Sequence, residues 1–175
     1  MNEVIGNILT RRSCRNFTAE VPADEDLALV LKAAEYAPTA RGSQDRMLTV
    51  VLNKEKILAL AAAVKKALHM PENAVYNFYG APVIVIISNE RGYGHAFQDA
   101  GAIMENTMLA AHSLGISSCW INQLCDTCDD PGVRAILDSF GIGHDRIVPA
   151  VAALGYAGSA IAKAAPRKES VSYVR

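Results

Sequence analysis

The feature that most constrains the fold of this chain is the unbroken apolar run at residues 83–87, VIVII, in which every residue is β-branched. Such a run is typical of a strand that is buried on both faces. Further strands are predicted at residues 47–52, 116–121 and 147–154. Because a strand covered on both sides needs helices on both faces of its sheet, the fold class is α/β or α+β.

Helices are predicted from apolar residues at helical spacing. The predicted helices cover residues 2–10, 54–68, 95–114 and 131–140, with a further helix from the acidic turn at 24–26 to Pro38. The helix over residues 95–114 is apolar on most sides, which indicates a position in a core or in a subunit interface. The apolar residues near the C-terminus, 171–174, are a candidate for an extra edge strand.

Length and charge exclude several classes of protein. A chain of 175 residues fits one domain, spanning residues 1–175. The net charge of −1 leaves no overall basic surface for nucleic acid or anionic lipid. No apolar stretch reaches the roughly 20 residues that a membrane helix needs. Since no apolar export signal follows Arg11-Arg12, we expect a cytoplasmic protein whose cysteines are reduced.

The densest group of hydrogen-bond donors is Arg11-Arg12-Ser13-Cys14-Arg15. In an extended segment alternate side chains share a face, so Arg11, Ser13 and Arg15 would point in the same direction. Two guanidinium groups around a hydroxyl suit a phosphate or the polar edge of a heteroaromatic ring. A solvated basic turn is the alternative, and composition alone slightly favours it.

Cys125 and Cys128 have the C-x-x-C spacing of redox and zinc sites. A zinc site needs four ligands, and the sequence offers no second pair at a suitable spacing. The neighbouring Asp126, Asp129 and Asp130 would raise the thiol pKa values, which disfavours a redox pair. We therefore interpret these cysteines as incidental. The sequence also has no metal-binding histidine motif, nucleophile elbow or glycine-rich phosphate loop.

Several segments, in matched order, resemble the FMN-dependent nitroreductase family. The family's R-R-S-x-R-x-F pattern is matched by residues 11–17 (RRSCRNF), and its A-P-S-A-x-N-x-Q-P-W pattern by residues 37–46 (APTARGSQDR). The likeness continues through residues 78–82 (FYGAP), 109–115 (LAAHSLG), 118–121 (SCWI), 154–156 (LGY) and 166–168 (PRK). The chain is therefore identified as a short member of this family.

The resemblance implies a nitroreductase-like α+β fold, with a central, mostly antiparallel sheet flanked by helices. It also implies an intertwined homodimer with FMN bound at the subunit interface. Carried over onto this sequence, the contacts to the FMN phosphate and the polar edge of the ring would come from Arg11, Arg12, Ser13 and Arg15. The other contacts would come from Pro38, Thr39, Ala40 and Gln44 of the partner subunit, from Trp120 and Ile121 along the ring face, and from Arg167 and Lys168 at the phosphate.

The activity that the resemblance implies is electron transfer from NADH or NADPH, through FMN, to nitroaromatic, quinone or similar small acceptors. The mechanism would be ping-pong and centred on the flavin, without a catalytic protein residue or a metal. This sequence differs from the family pattern by Gly42 in place of Asn and by Asp45-Arg46 in place of Pro-Trp. Arg41 and Arg46 are therefore candidate substrate-binding residues that would favour an anionic acceptor. The alternatives are an FMN-binding dimer that is non-catalytic or has another reaction, and a thiol or zinc protein built on the C-x-x-C pair.

Overall fold

The computed structural model describes residues 2–175, and its centre is a four-stranded sheet. The strands are β1 (Met47–Val51), β2 (Val83–Glu90), β3 (Ser117–Ile121) and β4 (Arg146–Gly155). Their order across the sheet is β1-β2-β4-β3, so β2 and β4 are central and β1 and β3 form the edges. Because every pairing between these strands is antiparallel, the fold class is α+β rather than α/β.

Helices cover both faces of the sheet, as the apolar run in β2 predicted. The helices are α1 (Glu3–Thr10), α2 (Asp24–Glu35), α3 (Lys54–Ala67), α4 (Ala96–Ser113), α5 (Gln123–Thr127) and α6 (Pro131–Ser139). Side chains of β2 alternate between the two layers. Val83, Val85 and Ile87 pack with α2 and α4, whereas Ile84 and Ile86 pack with α3, α5 and α6.

Side-chain caps mark the starts of three helices, each within a residue of the predicted start. Asn2 caps α1 and Asn53 caps α3, each accepting a 2.9 Å hydrogen bond from a backbone N–H of the first turn. Asp130 caps α6 in the same way, also at 2.9 Å. The five-residue α5 was not predicted, because so short a helix shows no period. None of the helices within residues 2–175 has the length and hydropathy to span a membrane.

The edge strand predicted at residues 171–174 is wrong for this chain. Residues 160–175 have no regular secondary structure, and Val171, Tyr173 and Val174 are exposed. Ordering a strand costs backbone entropy, and apolar side chains that gain no cover do not offset that cost.

Candidate functional site

The arginine-rich segment lies along the edge of the sheet. After α1, the backbone N–H of Cys14 donates a 2.8 Å hydrogen bond to the carbonyl of Ser118, and Ser13 pairs with Ser118 as a parallel bridge. Phe17 forms a second bridge with Ala157. The predicted extended conformation of residues 11–17 is therefore confirmed, and it fixes the arginines beside the edge strand β3.

Arg11 faces a cavity of about 370 Å³ between α1, α4 and β3. Its Nη1 is buried and has no hydrogen-bond partner within residues 2–175, and the same holds for the hydroxyl of Ser118 in the cavity wall. Buried polar groups are normally paired. Lys163 from the C-terminal segment also lines this cavity. The donor set, which comprises three cationic side chains with Arg12 included and the hydroxyl of Ser118, is one that an anion such as a phosphate would satisfy.

Arg12 lines this cavity and also donates hydrogen bonds at the C-terminal end of α1. Its Nη1 donates to the carbonyls of Leu9 and Arg11 at 2.8 and 2.6 Å. A cation at a helix C-terminus satisfies carbonyls that have no partner in the helix and interacts favourably with the helix dipole. Arg12 thus contributes charge to the cavity while one of its nitrogens caps a helix.

His112, near the end of α4, lines the cavity beside two positively charged side chains, those of Arg11 and Arg12. Its Nε2 lies 2.9 Å from the hydroxyl of Thr10. Burial lowers the pKa of His112, and the positive charges of Arg11 and Arg12 lower it further. His112 is therefore neutral at pH 7, and the cavity beside it favours negative charge.

The other predicted phosphate contacts lie outside this cavity in the single chain. Arg15 is exposed, and Arg167 and Lys168 are exposed residues of the C-terminal segment that do not line the cavity. The residues that sequence reasoning missed are Ser118, His112 and Lys163. Ser118 and His112 lie inside segments that carry the family resemblance, but only the parallel bridge and the course of α4 bring them to Arg11.

The second predicted group lines a different opening. Pro38, Thr39 and Gln44 line a groove of about 930 Å³ beside β1 and the end of α2. The loop that carries them contains a short 3₁₀ turn, Ala40–Gly42, and the hydroxyl of Thr39 accepts a 3.2 Å hydrogen bond from the backbone N–H of Gln44.

The two groups are attached to opposite ends of α4. The backbone N–H of Ala40 donates a 3.0 Å hydrogen bond to Asp99 in the first turn of α4, whereas Thr10 contacts His112 in its last turn. At 1.5 Å per helical residue, Asp99 and His112 are about 20 Å apart along the axis. One chain therefore does not bring all the predicted cofactor residues together, and each of the two groups is a candidate partial site.

Asp45 and Arg46, which stand where the family has Pro-Trp, attach the loop to its surroundings. Asp45 accepts a 2.8 Å hydrogen bond from the backbone N–H of Glu90 and pairs with Arg146 at 3.7 Å. One guanidinium nitrogen of Arg46, Nη2, donates to the carbonyl of Glu35. The other, Nη1, is buried without a partner among residues 2–175. Arg41 is exposed on the loop.

Trp120 and Ile121 end β3 and point to opposite faces of the sheet. Trp120 is 40% exposed, and its indole lies over Gly101 of α4, where a built Cβ would be 4.0 Å away. The side chain of Ile121 is 3% exposed and packs in the core beneath α3, α5 and α6. Only the backbone of Ile121 is left for contact with a ligand.

The C-x-x-C pair, Cys125 and Cys128, lacks two features of a metal or redox site within the described part of the chain: a third ligand and a low thiol pKa. All four are unpaired thiols, and residues 2–175 contain no group of three or more side chains placed to hold a metal ion. Burial raises the pKa of Cys125, and the charges of Asp126 and Cys128 raise it further. A raised pKa leaves little thiolate at neutral pH, which agrees with the interpretation of this pair as incidental.

Proteins of known family that are similar to this chain include structures with bound FMN, a phosphate-bearing ligand that suits the anion-binding character of the cavity. The family model described as "Nitroreductase family" matches residues 8–156. A protein of Archaeoglobus fulgidus, provisionally named NADH dehydrogenase/NAD(P)H nitroreductase, is 30% identical over 160 residues, covering 89% of this chain and 86% of the relative. A Bacteroides fragilis nitroreductase crystallised with bound FMN is 36% identical, with a TM-score of 0.94 and full coverage of both chains. A Desulfitobacterium hafniense nitroreductase with bound FMN is 28% identical, with a TM-score of 0.89 and full coverage of both chains. The chain therefore belongs to the nitroreductase family.

Proposed function

We propose that this protein is an FMN-dependent oxidoreductase that takes electrons from NADH or NADPH and passes them to small organic acceptors. The observation that carries the proposal is the cavity at Arg11, where a buried guanidinium nitrogen and the Ser118 hydroxyl have no partner within residues 2–175. A phosphate monoester carries close to −2 at neutral pH, by analogy with a phosphorylated side chain. Such a group would accept hydrogen bonds from both unpaired atoms and would offset the positive charge of Lys163.

FMN would be held by the residues that the family pattern marks. Arg11, Arg12 and Ser13 would bind the phosphate, and Arg15 would reach the polar edge of the ring. Trp120 and the backbone of Ile121 would line the ring face. Arg167 and Lys168 would close on the phosphate once the C-terminal segment folds over the site.

The remaining contacts would come from a second copy of the chain. The separation of the two partial sites along α4 supports this, because Pro38, Thr39, Ala40 and Gln44 cannot reach a ligand bound at Arg11 of their own chain without spanning the helix. The exposed apolar residues support it too, since α1 buries none of its side chains. The apolar residues left exposed here are Val4, Ile5, Ile8, Leu9, Phe97 and Trp120.

The shared site can be tested by complementation. Arg11→Met damages one half of each site and Gln44→Ala the other half. In a refolded mixture of the two variants, mixed dimers would carry one intact site and one doubly damaged site. At an FMN concentration that fills the wild-type sites but leaves the sites of both parents largely empty, about a quarter of the wild-type activity should return in the mixture if half of the dimers are mixed. If both halves of a site come from one chain, the mixture stays as inactive as its parents.

The protein's task is to bind, orient and tune the flavin. When bound, FMN would supply the redox chemistry, namely hydride transfer from a nicotinamide and electron transfer to the acceptor. Arg15 at the polar edge of the ring would stabilise the negative charge that develops there on reduction. No protein nucleophile or general base is required. Since donor and acceptor would use the same open ring face in turn, we expect ping-pong kinetics.

The acceptors we propose are nitroaromatic compounds, quinones and similar molecules. Arg41, exposed on the loop, and Arg46, whose Nη1 has no partner within residues 2–175, would favour acceptors with negative charge. Reduction rates of a sulfonated and a neutral quinone, measured on wild type and Arg46→Ala, test this. The variant should lose rate on the charged quinone selectively, and an equal loss on both would count against the assignment.

The visible spectrum of the purified protein tests the function as a whole. We expect a yellow protein that is bleached under anaerobic conditions by NADH or NADPH and recovers its colour on addition of an acceptor. A colourless protein that takes up no FMN would refute the proposal. A yellow protein that neither nicotinamide bleaches would instead support the alternative of an FMN-binding protein that is non-catalytic or has another reaction.

A further inference from the structure

Asp99 and Tyr93 lie outside the short sequence motifs named in the sequence analysis, yet they contact the loop over residues 39–44. Asp99 is 4% exposed and belongs to the first turn of α4. Its Oδ1 accepts the 3.0 Å hydrogen bond from the N–H of Ala40, and its Oδ2 accepts a 2.7 Å hydrogen bond from the hydroxyl of Tyr93. We propose that Asp99 and Tyr93 are positioning residues, which hold this loop in the shape that binds the flavin. This inference rests on the proposed function.

The hydrogen bonds around Tyr93 have a definite direction. A carboxylate accepts hydrogen bonds and donates none, so the Tyr93 hydroxyl donates its only proton to Asp99. The Ser43 hydroxyl, 2.8 Å from the Tyr93 oxygen, must then donate to it. The chain of bonds therefore runs from Ser43 through Tyr93 to Asp99. Together with the bond from Ala40, it attaches the loop to α4 at two points.

The loop needs such attachment because of its backbone conformation. Arg41 and Gln44 have φ angles of 56° and 51°, and Gly42 between them has 62°. Side-chain-bearing residues rarely adopt this left-handed region and stay there only when their surroundings hold them. The two arms of the loop are fixed elsewhere, by Pro38 next to α2 and by Asp45 on β2 and β4. Loss of the Asp99 network would therefore release the middle of the loop and leave the rest of the fold in place.

Tyr93→Phe is the sharpest test, because it removes one hydroxyl and keeps the ring. Tyr79→Phe is the matched control, since the Tyr79 hydroxyl makes no hydrogen bond within residues 2–175 and Tyr79 belongs to neither partial site. Two quantities are measured on each purified protein. The first is the rate of tryptic cleavage after Arg41, before and after saturation with FMN. The second is the Kd of FMN from the quenching of its fluorescence.

We expect Tyr93→Phe to accelerate cleavage after Arg41 and to raise the Kd of FMN about three- to tenfold, the loss typical of one hydrogen bond. Tyr79→Phe should match wild type in both measurements. A residue that only stabilised the fold would lower the melting temperature and leave both quantities unchanged at 25 °C, which would overturn the proposal. Faster cleavage with an unchanged Kd would also overturn it, because the loop would then be positioned for something other than FMN.

Substitutions at Asp99 provide a rescue series. Asp99→Ala leaves the N–H of Ala40 and the hydroxyl of Tyr93 without their acceptor, so its effects should exceed those of Tyr93→Phe. Asp99→Asn retains an oxygen that can accept the hydrogen bond from the N–H of Ala40. Its cleavage rate and its Kd for FMN should therefore lie between those of Asp99→Ala and wild type. If Asp99→Asn and Asp99→Ala have the same cleavage rate and the same Kd for FMN, the proposal that Asp99 acts as a hydrogen-bond acceptor is refuted. The cleavage rates of the flavin-free proteins do not depend on flavin binding. If wild type binds no FMN, the proposed function fails. The cleavage rates would still show whether Asp99 and Tyr93 hold the loop, so the two failures can be told apart.

Discussion

Replacing Arg11 by Met should weaken FMN binding about 10- to 150-fold while leaving the fold intact. The magnitude follows from the buried Nη1 of Arg11, which has no partner within residues 2–175 and would pair with a phosphate oxygen. Hydrogen bonds to charged groups contribute about 1.5–3 kcal/mol. Each 1.4 kcal/mol corresponds to a factor of ten in Kd, which gives the stated range.

The same substitution should not destabilise the protein without flavin. In that state the buried guanidinium has a desolvation cost that no hydrogen bond at Nη1 offsets, so its removal is neutral or stabilising. It should also raise the pKa of His112 towards its ordinary value, because one of the two cations that lower this pKa is gone. An NMR titration of His112 in the flavin-free protein measures this effect independently of FMN.

Fluorescence quenching gives the Kd of FMN, and Arg12→Met provides the comparison. Arg12 also lowers the pKa of His112, but its Nη1 already bonds to the carbonyls of Leu9 and Arg11. We therefore expect Arg12→Met to raise the pKa of His112 with a smaller loss of FMN affinity. The reasoning is refuted if the Kd of Arg11→Met stays within a factor of about two of wild type, well below the loss of one charged hydrogen bond.

Three further predictions concern stability and pH. Gly155→Ala would bring a Cβ within 2.6 Å of the Pro82 ring, so thermal melts should show a loss of about 1–3 kcal/mol, and an unchanged melting temperature would contradict this packing. Arg134→Met would leave the carbonyls of Ile142 and Gly143, which its Nη1 contacts at 3.3 and 3.0 Å, without that donor. Denaturant unfolding should show a loss of about 2–4 kcal/mol with FMN affinity unchanged, and a loss of FMN affinity would mean that this region supports the site. Because the folded-state pKa of His112 is lowered, the unfolded chain binds its proton first, so the stability of wild type should fall as pH drops below about 6.5. His112→Gln should show a smaller fall between pH 7.5 and 5.5 in chemical denaturation, and an identical pH dependence would argue against a lowered pKa.

Local signals were enough to predict most elements of the fold. The caps at Asn2, Asn53 and Asp130 are properties of a few neighbouring residues, and so is the apolar run of β2. The register of the antiparallel sheet and the order β1-β2-β4-β3 were not derivable from periodicity. They depend on which strands meet after collapse, and the antiparallel character of the sheet was inferred only through the family resemblance.

The candidate site likewise has features that the sequence predicts and features that only the tertiary structure shows. The basic segment and the loop after Pro38 are visible in the sequence, because charge and turn residues are local. The sequence did not indicate that Ser118 and Lys163 join Arg11, or that Asp99 and Tyr93 hold the loop. The residues in these pairs lie about 50 to 150 positions apart, and nothing in the sequence local to either partner indicates the pairing.

By itself, the sequence predicted all the helices and strands of the fold except α5, the two candidate binding segments and the family. Only the tertiary structure decided that these segments attach to opposite ends of α4, so that one chain does not bring the predicted cofactor residues together. The physical reason is that α4 is a rigid rod about 27 Å long, and the distance between residues attached to its ends follows from its packing in the fold, not from their own chemistry.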